Sequence, residues 1–363
     1  MKHPLFQPLP PGEPFCKFAT GSMASNSIVD RRQSAQKRGI AMKTILHLLA
    51  AGVIALAPYG ISSVQAAQKL TVAHSTWIGY GALYIAKEKG FFEKAGLDVN
   101  LKIIEASSDA LAAMQGGQID VVASTVDNFS LFAGNGADLS LLMTLDESSG
   151  GDGIVAKKEI ATVADLKGHT VGVQKGSISQ FLLAQALDKA GLTMSDIKAI
   201  DMKSGDAGAA FVAGSIDAAV TWQPWLGKAA ATESGKVLID TRSMPGLIVD
   251  ALATRTDFAK AHSDEFKGFI KAYYEGVDFM KKDPAAAGEI IARNLKMSKD
   301  TLDGSLKDVR FFTASDNAAF FAGSGSPASK LVTDAGAFYH RIGVLRGQPD
   351  VQKMVGFASE LAH

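Results

Sequence analysis

Cysteine is all but missing: of 363 residues only Cys16 is one, close to the amino terminus. So thiol-poor a chain has no internal disulfide and no cysteine-based metal centre. Histidine is sparse as well. Beyond residue 66 only His74, His169, His262, His340 and His363 occur, without the spacing of a metal site or a nucleophile–base pair. Neither a phosphate loop nor a glycine-rich dinucleotide fingerprint is present, so no cofactor and no catalytic residue is expected. Net charge is absent too, with 37 Lys and Arg against 37 Asp and Glu, but the balance is uneven. Residues 1–66 hold seven basic and two acidic side chains, which leaves 30 against 35 for the rest. A mildly acidic body gives no electrostatic footprint for nucleic acid.

An apolar run long enough to span a bilayer, roughly 20 residues, is also lacking. What the front of the chain does hold is a leader pattern. Met42-Lys43 opens a short positive region, Ile45–Ala57 is nearly all apolar, and Val64-Gln65-Ala66 places small residues where a signal peptidase reads. The expectation is a secretory signal over 42–66, cleaved after Ala66 or Ala67, with a mature start near Gln68. Residues 1–41, Pro-rich and patternless, read as an upstream mis-start or a disordered extension, and Cys16 goes with them. No lipidation box follows the apolar run, so a soluble periplasmic protein is expected.

From Lys69 the apolar residues alternate between strand and helix periods. Leu70–Ala73, Leu97–Ile103 and Ile119–Ala123 read as strands. Gly81–Lys89 reads as a helix, as does a segment capped by Ser107 or Ser108 and stopped at Gly116-Gly117. This order predicts an α/β fold with parallel sheets flanked by helices. One phrase recurs about a hundred residues on: Gly116-Gly117-Gln118-Ile119-Asp120-Val121-Val122 and Gly214-Ser215-Ile216-Asp217-Ala218-Ala219-Val220. In each, a helix stops at a glycine and a buried strand begins at once. The spacing is too long for a solenoid repeat and suits two similar lobes. Strands at Leu139–Leu145 and Gly153–Lys157 flank one Gly-, Ser- and Asp-rich link; Lys236–Asp240 and Leu247–Thr254 flank another. Lobe 1 is therefore expected over 68–146 and 247–363, lobe 2 over 153–240, and hinge crossovers at 147–152 and 241–246. The tail, with amphipathic helices at Phe266–Met280, Pro284–Asn294 and Ser329–Val344, is expected to pack on lobe 1.

The run Leu70-Thr71-Val72-Ala73-His74-Ser75-Thr76-Trp77-Ile78-Gly79-Tyr80, then Ala86-Lys87-Glu88-Lys89-Gly90-Phe91-Phe92, resembles the nitrate/sulfonate/taurine-type binding proteins of ABC importers. So do Gly117-Gln118-Ile119-Asp120-Val121, Thr162–Val173, Gly176–Ser179 and Thr221-Trp222-Gln223-Pro224-Trp225, and the likeness covers essentially all of residues 69–345. It implies a type II periplasmic binding protein fold, in which two parallel-sheet-containing lobes joined by two crossovers close over a ligand. It also implies a monomer that delivers its cargo to a membrane permease and the permease's ATPase, and that catalyses nothing. Fungal pyrimidine-precursor synthases are relatives, but their cysteine-rich iron motif is missing here.

In such a fold the ligand meets loops at the carboxyl ends of strands and the helix starts that follow. The first of these loops, His74 to Gly81, offers Trp77 and Tyr80; Trp77 reads as a pocket wall or as a core tryptophan. Ser124, Thr125 and Ser177 present hydroxyls and backbone N–H groups at helix starts, which suits an anion and equally suits plain capping. Trp222 is expected at a strand end facing the cleft, Trp225 as packing. In the first crossover Asp146 and Asp152 flank glycines, and Asp250 interrupts an apolar strand beside the second. Carboxylates in a closing, partly dry cleft need a partner, which a ligand cation would supply; Asp250 is equally suited to an internal Arg or Lys. No Arg occurs in these loops, and Lys175 is the one nearby lysine. The reading is a site for a small cationic or zwitterionic nitrogen compound, guanidine-, amine- or taurine-like. A sulfonate or nitrate site is the alternative.

Overall fold

The computed structural model describes residues 67–361; the leader expected at 42–66 and the stretch 1–41 lie outside the described residues. The first strands are β1 (Gln68–His74), β2 (Leu97–Ile103), β3 (Val121–Thr125) and β4 (Ser140–Ser148). Then follow β5 (Asp152–Lys157), β6 (Thr170–Val173), β7 (Lys198–Asp201), β8 (Ala218–Trp222) and β9 (Gly235–Asp240), and finally β10 (Val249–Thr254) and β11 (Val309–Phe311). They assemble into a six-stranded sheet, β11-β4-β10-β3-β1-β2, and a five-stranded sheet, β7-β6-β8-β5-β9. β1 lies parallel between β2 and β3, and β6 parallel between β7 and β8. The strand that arrives from the other sheet, β10 in one and β5 in the other, enters antiparallel to both its neighbours. The chain therefore crosses between sheets twice, and we call the two halves lobe 1 and lobe 2.

The recurring phrase is one device used in both lobes. Helix Ser107–Gln115 and helix Ser204–Val212 each end before a glycine in the left-handed region, Gly117 at φ 72° and Gly214 at φ 73°. That conformation lets the next N–H turn back five residues, Gln118 N to Ala113 O at 2.9 Å and Ser215 N to Ala210 O at 3.0 Å. The aspartate that follows then fastens the next strand to its neighbour. Asp120 Oδ2 accepts from Thr71 N at 2.8 Å, and Asp217 Oδ2 accepts from Thr170 N at 3.0 Å. The registers that result are equivalent, Val72 opposite Val121 and Val171 opposite Ala218. Ser107 does not cap its helix as expected: the capping position is Ala106, and no side chain bonds there.

Helices pack on both faces of the lobe 1 sheet. One face is covered by Gly81–Glu88, Ser263–Lys282 and Pro284–Asn294, whose buried residues meet in one core around Leu70, Phe92, Phe269 and Tyr273. Pro284 sits in the first turn of its helix, and Asp283 caps it by accepting from Ala286 N at 3.1 Å. The tail differs from expectation in two respects. It contains a strand, β11, which extends the sheet beyond β4. Its helix Pro327–Arg341 also serves both lobes: Ala328, Leu331 and Val332 join a lobe 1 core, whereas Phe338 and Tyr339 lie against Phe181 of lobe 2. The apolar side of that helix is simply longer than one lobe can cover. The first link is shorter than the sequence suggests. β4 runs through Ser148 and β5 begins at Asp152, so Asp146 and Glu147 are strand residues.

Candidate functional site

Strand register decides which side chains share the space between the sheets. Across lobe 1, Thr125 of β3, Asp250 of β10 and Asp146 of β4 stand opposite one another in a row. In lobe 2, Asp152 stands opposite Trp222. Between the two sheets lies a cleft of about 440 Å³, a volume that includes space open to solvent.

Eight of the nine residues expected from the sequence line this cavity: Trp77, Tyr80, Ser124, Thr125, Asp152, Ser177, Trp222 and Asp250. The ninth, Asp146, does not. It stands behind Trp77 and accepts from the indole Nε1 at 2.9 Å, while its Oδ2 has no partner among the described residues. Its carboxylate thus bears on Trp77 and not on the contents of the cavity. The pair is possible because residue 79 is glycine; a Cβ there would lie 2.3 Å from both Trp77 Nε1 and Asp146 Oδ2. Trp77 is buried as well as cavity-lining, so the wall and core readings both describe it. Trp222 packs against the cores of both lobes, and its Nε1 has no partner among the described residues. Trp225 lies beside Gly205 and Gly208 of the neighbouring helix, away from the cavity lining.

The hydroxyls separate into two kinds. Ser177 is a true cap, accepting from Ser179 N at 3.2 Å and donating to Gln174 O at 2.7 Å. Thr125 precedes helix Val126–Gly134 without capping it, and its Oγ1 has no partner among the described residues beyond the neighbouring Asp127 carboxyl. Asn128, one turn on, donates to Ser124 at 3.1 Å and Ser107 at 3.4 Å, which leaves its Oδ1 unpartnered. Asn128 and Glu105 line the cavity and were missed in the sequence. Glu105 follows β2 and was recoverable from the strand-end rule. Asn128 reaches the cavity only because its helix begins at the strand end, three residues after Thr125.

The electrostatics are one-sided. No Lys, Arg or His lines the cavity among the described residues, whereas Asp152, Asp250 and Glu105 do. Burial pushes the Asp152 carboxyl up to about 7, against a weaker downward pull from a hydrogen bond with Ser148. Burial, then the charge of Asp146, pushes Asp250 well above the usual carboxylate range, despite the hydroxyl of Tyr80 donating to it at 2.5 Å. The internal Arg or Lys that could have paired with Asp250 is therefore replaced by a tyrosine. Nearby His74, in edge contact with Tyr80 at 5.7 Å, is held below its ordinary value by burial and contributes no counter-charge.

Comparison with known proteins places this geometry. A model of the family described as NMT1/THI5 like matches residues 77–287. A putative binding protein of Brucella abortus (strain 2308) is 28% identical over 249 residues, 66% of this chain and 77% of that protein. The putative aliphatic sulfonates-binding protein of Escherichia coli (strain K12) is 32% identical over 204 residues, 55% of this chain and 63% of that protein. The crystal structure of the periplasmic aliphatic sulphonate binding protein SsuA from Escherichia coli matches with a TM-score of 0.67 at 21% identity, over 79% of this chain and 97% of that one. All three are named for binding and none for catalysis, which tells against the synthase alternative. The chain belongs to the NMT1/THI5-like family and has the fold of the periplasmic binding proteins.

Proposed function

We propose that this protein is the exported, periplasmic solute-binding component of an ABC importer, and that its cargo is a small cationic or zwitterionic nitrogen compound. Guanidine-, amine- and taurine-like molecules fit the description. The observation that carries this reading is the pair of carboxylates, Asp152 and Asp250, in a cavity whose lining has no Lys, Arg or His. An anion about 4 Å from either carboxylate in its ionised form would meet a repulsion of about 4 kcal/mol at an effective dielectric constant near 20, and a cation an equal attraction. The indoles of Trp77 and Trp222 add aromatic surface that favours an ammonium or guanidinium group by roughly 0.5–2 kcal/mol. Cargo is held as the lobes close about the two crossovers, and the loaded protein is handed, as a monomer, to its permease and ATPase.

A sulfonate or nitrate is the second reading, and a specific feature favours it. Helices Val126–Gly134 and Ile178–Lys189 both start at the cavity, and Trp222 Nε1 is a donor without a partner there. A zwitterion uses both halves, its ammonium on the carboxylates and its anion at the helix starts. Melting temperature measured against guanidine, methylamine, taurine, ethanesulfonate and nitrate separates the readings. A ligand at 100 times its Kd stabilises the folded chain by about 2.7 kcal/mol. Stabilisation by guanidine, methylamine or taurine, lost in Asp152→Asn and Asp250→Asn, is expected. Stabilisation by ethanesulfonate and nitrate alone, intact in both variants, would refute the cationic cargo.

A further inference from the structure

We propose that Asp152 and Asp250 form a single cation subsite divided between the lobes, which come together only when a bound monocation or protons neutralise it. The cation half of this inference rests on the function proposed above; the proton half does not.

The division follows from topology. Asp250 lies on β10 in the lobe 1 sheet and Asp152 opens β5 in the lobe 2 sheet, yet both line one cavity, 3% and 6% exposed. With the lobes apart each carboxylate would be solvated. With the lobes together both lose water and each faces further acidic groups. Asp250 faces Asp146 on β4 and the phenol of Tyr80, Asp152 faces Asp127 on helix Val126–Gly134, and Glu105 lines the same space after β2. Tyr273, from helix Ser263–Lys282, and His74, from β1, complete the titratable surroundings; burial raises the Tyr273 hydroxyl well above its ordinary value and lowers the His74 imidazole. The lining supplies no counter-charge.

Independent of the carboxylates, the same cavity holds acceptors with nothing to accept from. Asn128 Oδ1 has no partner among the described residues and belongs to a residue only 2% exposed; Thr125 Oγ1, on a residue 7% exposed, has none there beyond the neighbouring Asp127 carboxyl. Asn128 spends its amide donors on Ser124 and Ser107, so its carbonyl is the end left over. Thr125 stands directly opposite Asp250 in the sheet. Two carboxylates and two neutral oxygens around one small space suit a group that only donates, such as guanidinium or a primary ammonium.

The sign of the pH effect is set by the same burial. Both carboxyls are raised in the joined arrangement, so between the ordinary carboxyl range and about 7 the joined form holds protons that separated lobes would release. Below that range the charges vanish in both arrangements and joining carries no penalty; as pH rises toward about 7 the Asp152 share of the penalty grows to its full size, and Asp250, raised well above the usual carboxylate range, adds to it. A cation displaces those protons. Its affinity therefore rises with pH in this window, by about tenfold per unit for each proton displaced.

Small-angle scattering of the purified protein at pH 5 and pH 8.5, without ligand and with guanidinium chloride or methylammonium chloride at millimolar concentration, tests both halves. The radius of gyration of the unliganded protein is expected to fall from pH 8.5 to pH 5, and guanidinium or methylammonium is expected to produce the same fall at pH 8.5. Asp152→Asn/Asp250→Asn should be compact at both pH values and indifferent to either cation; the single Asp250→Asn variant, checked by its melting temperature, serves if the double variant does not fold. An unliganded radius that is the same at both pH values overturns the proposal, even if the cations still compact the protein. A double variant that still expands from pH 5 to pH 8.5 overturns it as well. Acid compaction without any response to either cation upholds the divided carboxylate pair and refutes the cationic cargo instead.

Discussion

Replacing Gly79 by alanine should unseat Trp77, and the structure sets the size of the effect. A Cβ at residue 79 would lie 2.3 Å from Trp77 Nε1 and 2.3 Å from Asp146 Oδ2, about 0.7 Å nearer than any real Cβ contact allows. Gly79 is outside the left-handed region, so alanine brings no backbone strain and the whole effect is one of space. Neither neighbour can yield freely: the indole edge abuts Gly151, and Asp146 is fully buried within β4. Forcing them apart breaks the 2.9 Å hydrogen bond from the indole and leaves the carboxyl with no partner at all. Losing that bond costs about 1–3 kcal/mol, and overpacking a fixed core costs about 1–3 kcal/mol more. A loss of roughly 2–6 kcal/mol is expected, or a melting point lower by about 4–24 °C at about 2–4 °C per kcal/mol. Urea unfolding followed by tryptophan fluorescence measures it. In a Trp77→Phe background, where no indole N–H exists, Gly79→Ala should cost at least about 1 kcal/mol less. A Gly79→Ala protein with an unchanged midpoint would refute the reasoning, as would strict additivity of the two substitutions.

Three more predictions concern the frame that holds the cavity. Asp217→Ala removes the acceptor for Thr170 N and Thr170 Oγ1 together with a 2.7 Å ion pair to Lys157, and should destabilise the protein by about 1–3 kcal/mol in urea. Asp120→Ala, its counterpart in lobe 1, should act in the same direction by about 1 kcal/mol. Tyr339→Phe deletes the 2.7 Å donation to Asp127, whose carboxyl burial pushes up to about 6. The cost, about 1–3 kcal/mol, should be larger at pH 8 than at pH 5, because the protonated carboxyl loses less when its donor goes; an equal loss at both pH values would show that Asp127 does not titrate in that range.

Much of the molecule is legible in local pattern. The alternation of periods announces the two sheets, and the Gly-x-Ile-Asp phrase marks the same helix-to-strand turn in each lobe, since the αL glycine and the strand-fastening aspartate are both local needs. Ser177 is equally readable as a cap. β11 is not, because three residues extend a sheet only when β4, more than 150 residues earlier in the chain, offers an open edge. The reach of helix Pro327–Arg341 into lobe 2 is hidden for a similar reason: an amphipathic stripe shows that a face is buried but not against what.

The cavity divides in the same way. Which residue types stand at strand ends and helix starts is written in the chain, and so is the surplus of carboxylates near the links. What those residues face is a matter of register between strands far apart in sequence. Register puts Asp250 between Thr125 and Asp146. The close approach allowed by Gly79 turns Asp146 toward Trp77 and out of the cavity. Only the meeting of the two sheets makes Asp152 and Asp250 neighbours, because burial and mutual repulsion are properties of the space between lobes and not of either strand alone.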